Sequence, residues 1–279
     1  MVTIDNILFA YPRGGWLFRN FSLNLAEGHI VGLLGANSTG KSTLLKLICG
    51  LLEPQSGSVQ IDGTMAFDRN VATLTKIAVV PEEFVLPNIS ILDYARANAP
   101  FYPHFDHAQM VAALEAFEVD TTKRLEAMSM GQRKKALLSF AMACNTDYLL
   151  LDEPTNGLDI PSKGVFRRLL AAWATPERTA IVSTHQVKDV ENLIDHIVMI
   201  DHKGLVIDAS TYDISQKLCF ESRPTREGAL YAEQSVTGYS VVVPNTTGYE
   251  SDIDIELLFG AAQAARAEVK ELLTTRNDF

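Results

Sequence analysis

Three short stretches place reactive side chains where a phosphate-rich ligand could use them. In "GANSTGKST", Gly35, Gly40, Lys41 and Ser42 keep the spacing GxxxxGK(S/T), directly after the apolar run "IVGLL" and directly before a helical period. Glycines let consecutive N–H groups turn toward one anion, the helix start adds partial positive charge, and the Lys ammonium reaches the outer phosphates. The nucleotide-holding loop is therefore read as Gly35, Ala36, Asn37, Ser38, Thr39, Gly40, Lys41, Ser42 and Thr43. Ser42 offers a hydroxyl to Mg²⁺, which takes oxygen ligands and commonly shares them with phosphates. In "DYLLLDEPTNGLD", Asp152 and Glu153 end an apolar strand, where ligands bind in parallel α/β sheets. Asp152 suits the neighbourhood of Mg²⁺ and Glu153 suits polarising a water for in-line attack on a terminal phosphate. In "IVSTHQ", His185 ends another apolar strand, within reach of the same water.

Two further residues depend on this set. Glu82, in "VVPEEF", stands just past the strand "KIAVV" and offers an oxygen toward Mg²⁺. Tyr11 precedes the loop; alone it fits a strand aromatic, and beside this set its ring could stack on a purine for roughly 1 to 3 kcal/mol.

The elements that must hold these residues alternate. Strands are expected at "GHIVGLLG", "KIAVV", "YLLL", "TAIVST" and "HIVMID", and helices over 41–50, 161–173 and 186–194, a pattern that implies a parallel sheet covered by helices. Three consecutive helical periods between about 91 and 144 break the alternation and read as a helical insert. Its aromatics, near "FVLPNISILDYARANAPFYPHFD", fit either a contact surface or internal packing. Beyond Ser210 the pattern weakens to a strand, a turn and one long helix.

A second anion-type helix start stands in "EAMSMGQRKK". Ser129 there is well placed for an anion that the same chain does not supply.

The chain has 279 residues, 47% hydrophobic and 21% charged, and a net charge of −10, which disfavours nucleic acid and anionic lipid over the surface as a whole. Its apolar runs are too short for a membrane span, its start has no leader pattern, and a cytosolic protein is expected. Cys49, Cys144 and Cys219 are dispersed and read as buried thiols rather than a disulfide framework or zinc site.

Taken together these stretches resemble the ATP-binding cassette (ABC) ATPases over about residues 1–208, in the family's order. Tyr11 matches the aromatic A-loop position, the loop from Gly35 the Walker A motif, and Glu82 the Q-loop position. "MSMGQ" at 128–132 matches the signature, Leu149 to Asp152 the Walker B strand, and Glu153 the catalytic carboxylate. "NGLD" at 156–159 matches the D-loop, and His185 the switch histidine. The resemblance implies an α/β P-loop NTPase fold with a mixed or parallel sheet core. The cassette spans 1–210, with a helical subdomain at about 84–146, and a small α+β extension follows over 211–279. It implies ATP and Mg²⁺, with Ser42, Glu82 and Asp152 near the metal and Glu153 and His185 catalytic. It also implies a second cassette, whose nucleotide Ser129, Met130, Gly131, Gln132 and Asp159 would cover. The nearest likeness is to bacterial ABC-2-type exporter ATPases, peripheral on the cytoplasmic face through a transmembrane permease. A soluble cassette acting on nucleic acid or ribosomes is the alternative, disfavoured by charge and by the lack of a second cassette or long insert. Three positions depart from the family pattern: Glu82 stands where Gln is usual, and in the signature Met128 replaces the usual Leu and Met130 the first of two glycines.

Overall fold

In the computed structural model, residues 1–236 and 238–274 are described; Thr237 and 275–279, the end of the expected extension, lie outside them. In chain order the first elements are β1 (Val2–Ala10), β2 (Trp16–Leu25), β3 (Ile30–Leu34), α1 (Lys41–Ile48), β4 (Ser56–Ile61), β5 (Thr64–Met65), α2 (Val71–Leu74) and β6 (Ile77–Val80). The helical stretch follows as α3 (Ile91–Asn98), α4 (His107–Ala116) and α5 (Met130–Ala143). Then come β7 (Tyr148–Asp152), α6 (Ile160–Trp173), β8 (Thr179–Ser183), β9 (His196–Asp201), β10 (Gly204–Ser210) and α7 (Thr211–Lys217). The chain continues through β11 (Leu218–Arg223), β12 (Tyr231–Ser235), β13 (Gly238–Pro244), α8 (Ile255–Ala264) and α9 (Arg266–Thr274).

The six-stranded sheet runs β10-β9-β3-β8-β7-β6, parallel from β9 to β6 and antiparallel only at the β10 edge. Continuous apolar runs dictate this arrangement: every residue of β3, β7 and β8 is buried, so neither face of these strands meets water. Each fully buried Leu, such as Leu149, Leu150 and Leu151, contributes roughly 2 kcal/mol. The N-terminal segment departs from the expected alternation and forms a second, antiparallel sheet, β2-β1-β4-β5. Its period of two was hard to read because β1 is interrupted: Asn6 takes φ 47° and the register with both neighbouring strands shifts there. Leu44, Leu47 and Ile48 of α1 fill one core between the two sheets, with Val2, Ile4 and Phe21 on one side and Leu33, Leu150 and Ile181 on the other. The helix behind the loop is thus clamped from both faces.

The three expected helices between 91 and 144 are present as α3, α4 and α5. Most of the aromatics near them pack inward: Tyr94, Tyr102 and Phe105 all meet the Phe140 ring on α5. Val85 and Phe101 are the most exposed apolar side chains of this stretch, at 97% and 67%, and Leu92 and Val111 are exposed as well. The helix expected over 186–194 is reduced to a 3₁₀ turn at Val187–Asp189. Side chains of that segment bond instead to other elements, Gln186 to Asn156 and Asp189 to Lys163, and these contacts outweigh helical propensity.

The C-terminal part also differs from its expected form. A three-stranded antiparallel sheet, β11-β13-β12, carries α8 against it, and the one long helix is two, broken at Ala265 (φ −125°, ψ 48°). Leu258, Ala261 and Val269 from these helices join the same apolar cluster as Met199 and Ile207 of the large sheet. Of the thiols, Cys49 and Cys144 are buried and Cys219 only partly so.

Candidate active site

The loop between β3 and α1 is shaped by what it cannot accommodate. A Cβ at Gly35 would stand 2.5 Å from the Ile200 carbonyl, and one at Gly40, where φ is 106°, would stand 2.8 Å from the Phe18 ring. Gly40 is also the residue before α1 and gives that helix no side-chain cap, so its first N–H groups are free for a ligand. Lys41 is buried, and its ammonium donates to the carbonyls of Gly35 (2.8 Å) and Ala36 (3.3 Å). Burial lowers its proton affinity, while Glu153, Asp152 and Glu82 act in the opposite direction. Thr39 is turned inward, its hydroxyl on the Ala36 carbonyl at 2.8 Å.

These constraints open a cleft of about 490 Å³ lined by Asn37, Ser38, Gly40, Lys41, Ser42 and Thr43 from the loop, with Tyr11, Leu17, Glu82, Glu153 and His185 around it. Gly35, Ala36 and Thr39 shape the loop from behind and do not line the cleft. Tyr11 is 42% exposed, and its hydroxyl is 3.1 Å from the Thr43 hydroxyl, which leaves a ring face at the mouth. The donor set fits a polyphosphate: a loop turned by Gly35 and Gly40, an open helix start and a buried ammonium converge. It fits Mg²⁺ as a shared ion: among the described residues no three His, Cys, Asp or Glu cluster to hold a metal by themselves, while Ser42 and Glu82 offer oxygens beside that cradle.

The carboxylates divide by position. Asp152 is 6% exposed, accepts a short hydrogen bond from Ser183, and lies behind the cleft rather than on its wall. Glu153 is 5% exposed and takes φ 46°, a left-handed conformation costly for a residue with a Cβ. Its N–H bonds the Ser183 carbonyl at 2.9 Å, which fixes that conformation. One carboxylate oxygen meets His185 Nδ1 at 2.8 Å and the other accepts from the His185 N–H at 3.4 Å. The pair lines the same cleft as Lys41 and Ser42, suited to orienting a water toward a terminal phosphate.

A chain of polar contacts around this pair escaped sequence reasoning. Glu82 Oε1 accepts from Asn156 (3.2 Å), Asn156 accepts from Gln186 (3.1 Å), and Gln186 accepts from Lys163 (3.1 Å). These residues lie up to 104 positions apart in sequence, and only the strand-end positions of Glu82 and His185 hinted at them.

The structure does not bring the remaining candidates into the cleft. Ser129 caps α5 through the Gln132 N–H at 3.3 Å, Met130 is 50% exposed at the first position of that helix, and Asp159 caps α6 through the Ser162 N–H at 2.9 Å. A Cβ at Gly131 would stand 2.7 Å from the Gly157 carbonyl, so the two turns touch backbone to backbone. Met130 therefore fits where a glycine is usual because its side chain points outward, whereas position 131 is closed.

Comparison with known proteins agrees with this geometry. The family model described as "ABC transporter" matches residues 18–156. The chain is 30% identical over 196 residues, 68% of its length and 79% of the relative's, to the ABC transporter ATP-binding protein NatA of Bacillus subtilis (strain 168). It is 28% identical over 217 residues, 75% of its length and 88% of the relative's, to the SkfA peptide export ATP-binding protein SkfE of the same organism. Among solved structures, the dimeric post-hydrolysis ATP-binding cassette MJ0796 bound to ADP and Pi superimposes with a TM-score of 0.66 at 24% identity, covering 75% of this chain and 98% of that one. With the phosphate loop, the strand-end carboxylate and the histidine converging on one cleft, and with these relatives, the chain belongs to the ABC transporter family as one of its ATP-binding cassettes.

Proposed function

We propose that this protein is the Mg²⁺-dependent ATPase subunit of an exporter, working as a pair of cassettes on a separate transmembrane permease. The observation that carries the hydrolytic reading is the Glu153–His185 contact of 2.8 Å in the cleft that Lys41 and Ser42 also line. In this reading Tyr11 stacks on the base, the loop from Gly35 to Thr43 holds the phosphates, and Lys41 leaves its loop carbonyls for the outer phosphates. Glu153 takes the proton of the attacking water, with His185 fixing the carboxylate and contacting the terminal phosphate. Mg²⁺, held by Ser42 and Glu82 with Asp152 behind them, would neutralise phosphate charge.

Pairing is supported by Ser129, an exposed hydroxyl at a helix start with no acceptor from its own cleft, and by the dimeric relative. Closure of the pair over ATP is then a population shift driven by ligand that touches both chains. Residues 129–132 and Asp159 would meet the partner's nucleotide. The permease is supported by the relatives' names and by the exposed Val85 and Phe101; export is supported by the peptide-export relative. No helix among the described residues is long and apolar enough to cross a membrane, so the path for cargo would come from that second chain. We place the cassette at residues 1–210, peripheral on the cytoplasmic face, and the extension after it.

The test is steady-state ATP hydrolysis by the purified chain with Mg²⁺ and with excess EDTA. Turnover that stops on chelation and returns with Mg²⁺ is expected; turnover indifferent to EDTA overturns the metal assignment. Co-purification with a multi-span membrane protein is expected, and with RNA or DNA would overturn the transporter reading.

A further inference from the structure

Lys134 is a charged side chain in an unusual place. It lies on the second turn of α5, the helix that Ser129 begins, and it is 2% exposed. Its ammonium donates to the Glu153 carbonyl at 3.2 Å and to the Glu82 carbonyl at 3.4 Å, and stands 5.6 Å from the centre of the Phe84 ring. A buried ammonium is costly unless charge and hydrogen bonds compensate it. Here both do. Its N–H groups meet two carbonyls, and Glu82, Asp152 and Glu153 oppose the loss of the proton that burial favours.

The site around it has an unusual charge. Glu82 puts a third carboxylate near Asp152 and Glu153, where the family pattern has a neutral Gln. Lys41 lines the cleft and, in the ATPase reading, serves the phosphates. Lys134 does not line the cleft, so its charge stays available to the protein when nucleotide is present. It also contacts Glu153, whose backbone is held in a left-handed conformation, at the carbonyl of that residue.

We propose that Lys134 is a positioning residue for hydrolysis: it ties α5 to the backbones of Glu153 and Glu82 and offsets the charge that Glu82 adds. This rests on the ATPase reading above. It makes the start of α5, where another chain's nucleotide would bind, mechanically continuous with the hydrolytic carboxylate of its own chain. Lys134 touches no reacting atom, so its removal should lower turnover and leave nucleotide binding alone.

The experiment uses the full chain with Lys134→Met and Lys134→Gln, each alone and with Glu82→Gln. Mg-ATP hydrolysis is followed at varied ATP, binding of a fluorescent ATP analogue is titrated, and thermal melting reports the fold. Lys134→Met is expected to lower kcat about tenfold with KM and analogue affinity within about twofold. Lys134→Gln keeps N–H donors, so it reads the charge even where the Met variant does not fold. Adding Glu82→Gln to Lys134→Gln is expected to restore kcat by about threefold or more, because the surplus carboxylate charge is gone. Turnover within about twofold of wild type in both single variants, or effects of the two substitutions that simply multiply, overturns the assignment. An inactive wild type that still binds the analogue overturns the ATPase reading and Lys134's role with it. An active wild type indifferent to Lys134 overturns only the latter.

Discussion

Two helices in this chain begin in ways suited to an anion, and they are finished differently. α1 starts at Gly40 with no side-chain cap, and its free N–H groups form the floor of a cleft that Lys41, Glu153 and His185 also enter. α5 starts at Ser129, whose hydroxyl already caps the helix at the Gln132 N–H, and its first residue, Met130, is half exposed. No titratable side chain of the hydrolytic pair faces that second start. The difference teaches that similar helix starts can be given opposite surroundings, one opening onto a cleft and the other capped at the surface; under the proposed pairing, the second would serve as a lid for another chain's site.

The contrast is broken most strongly from the side of α1. Glu153→Gln removes the proposed base and leaves the loop intact, so turnover should fall by roughly 10² to 10⁴ with ATP binding retained and paired chains accumulating. Rapid-quench hydrolysis and size-exclusion chromatography with ATP check this, and normal turnover would remove Glu153 from its role. Ser129→Arg tests the other start. It should abolish ATP-dependent pairing and lower hydrolysis by about 10²-fold, with nucleotide binding to a single chain unchanged. Pairing that survives would mean that α5 is not a lid. The smallest effect sharpens the comparison at the level of capping alone: Ser129→Ala should cost about 1 kcal/mol by loss of the Gln132 contact, read as a lower melting temperature. α1 has no equivalent contact to lose, since Gly40 contributes none.

What could be read in advance follows the range of the interactions. The loop from Gly35 to Thr43 was legible because its geometry is set by residues within a few positions, and the buried strands because their apolar runs leave no other choice. Glu153 and His185 were legible as strand ends, although the left-handed backbone of Glu153 was not, since it depends on the Ser183 carbonyl across the sheet. The Glu82–Asn156–Gln186 chain was hidden for the same reason, and it also explains why a helix written into 186–194 shrinks to one 3₁₀ turn. Lys134 stands in the run Arg133-Lys134-Lys135, which by sequence fits a solvated helix face. Only the packing of α5 against β6 reveals it as an interior cation. The N-terminal sheet was missed because a bulge near Asn6 spoils its alternation.

The contact between Gly131 and Gly157 carries a consequence for timing. Two backbones that meet with no side chain between them have no soft group to absorb a displacement, and the Gly157 turn leads within two residues to Asp159 at the start of α6. A displacement at the start of α5 therefore meets a hard contact at the turn after Glu153. Under the proposed pairing, movement at the start of α5 would be passed to the start of α6 of the same chain in the same step.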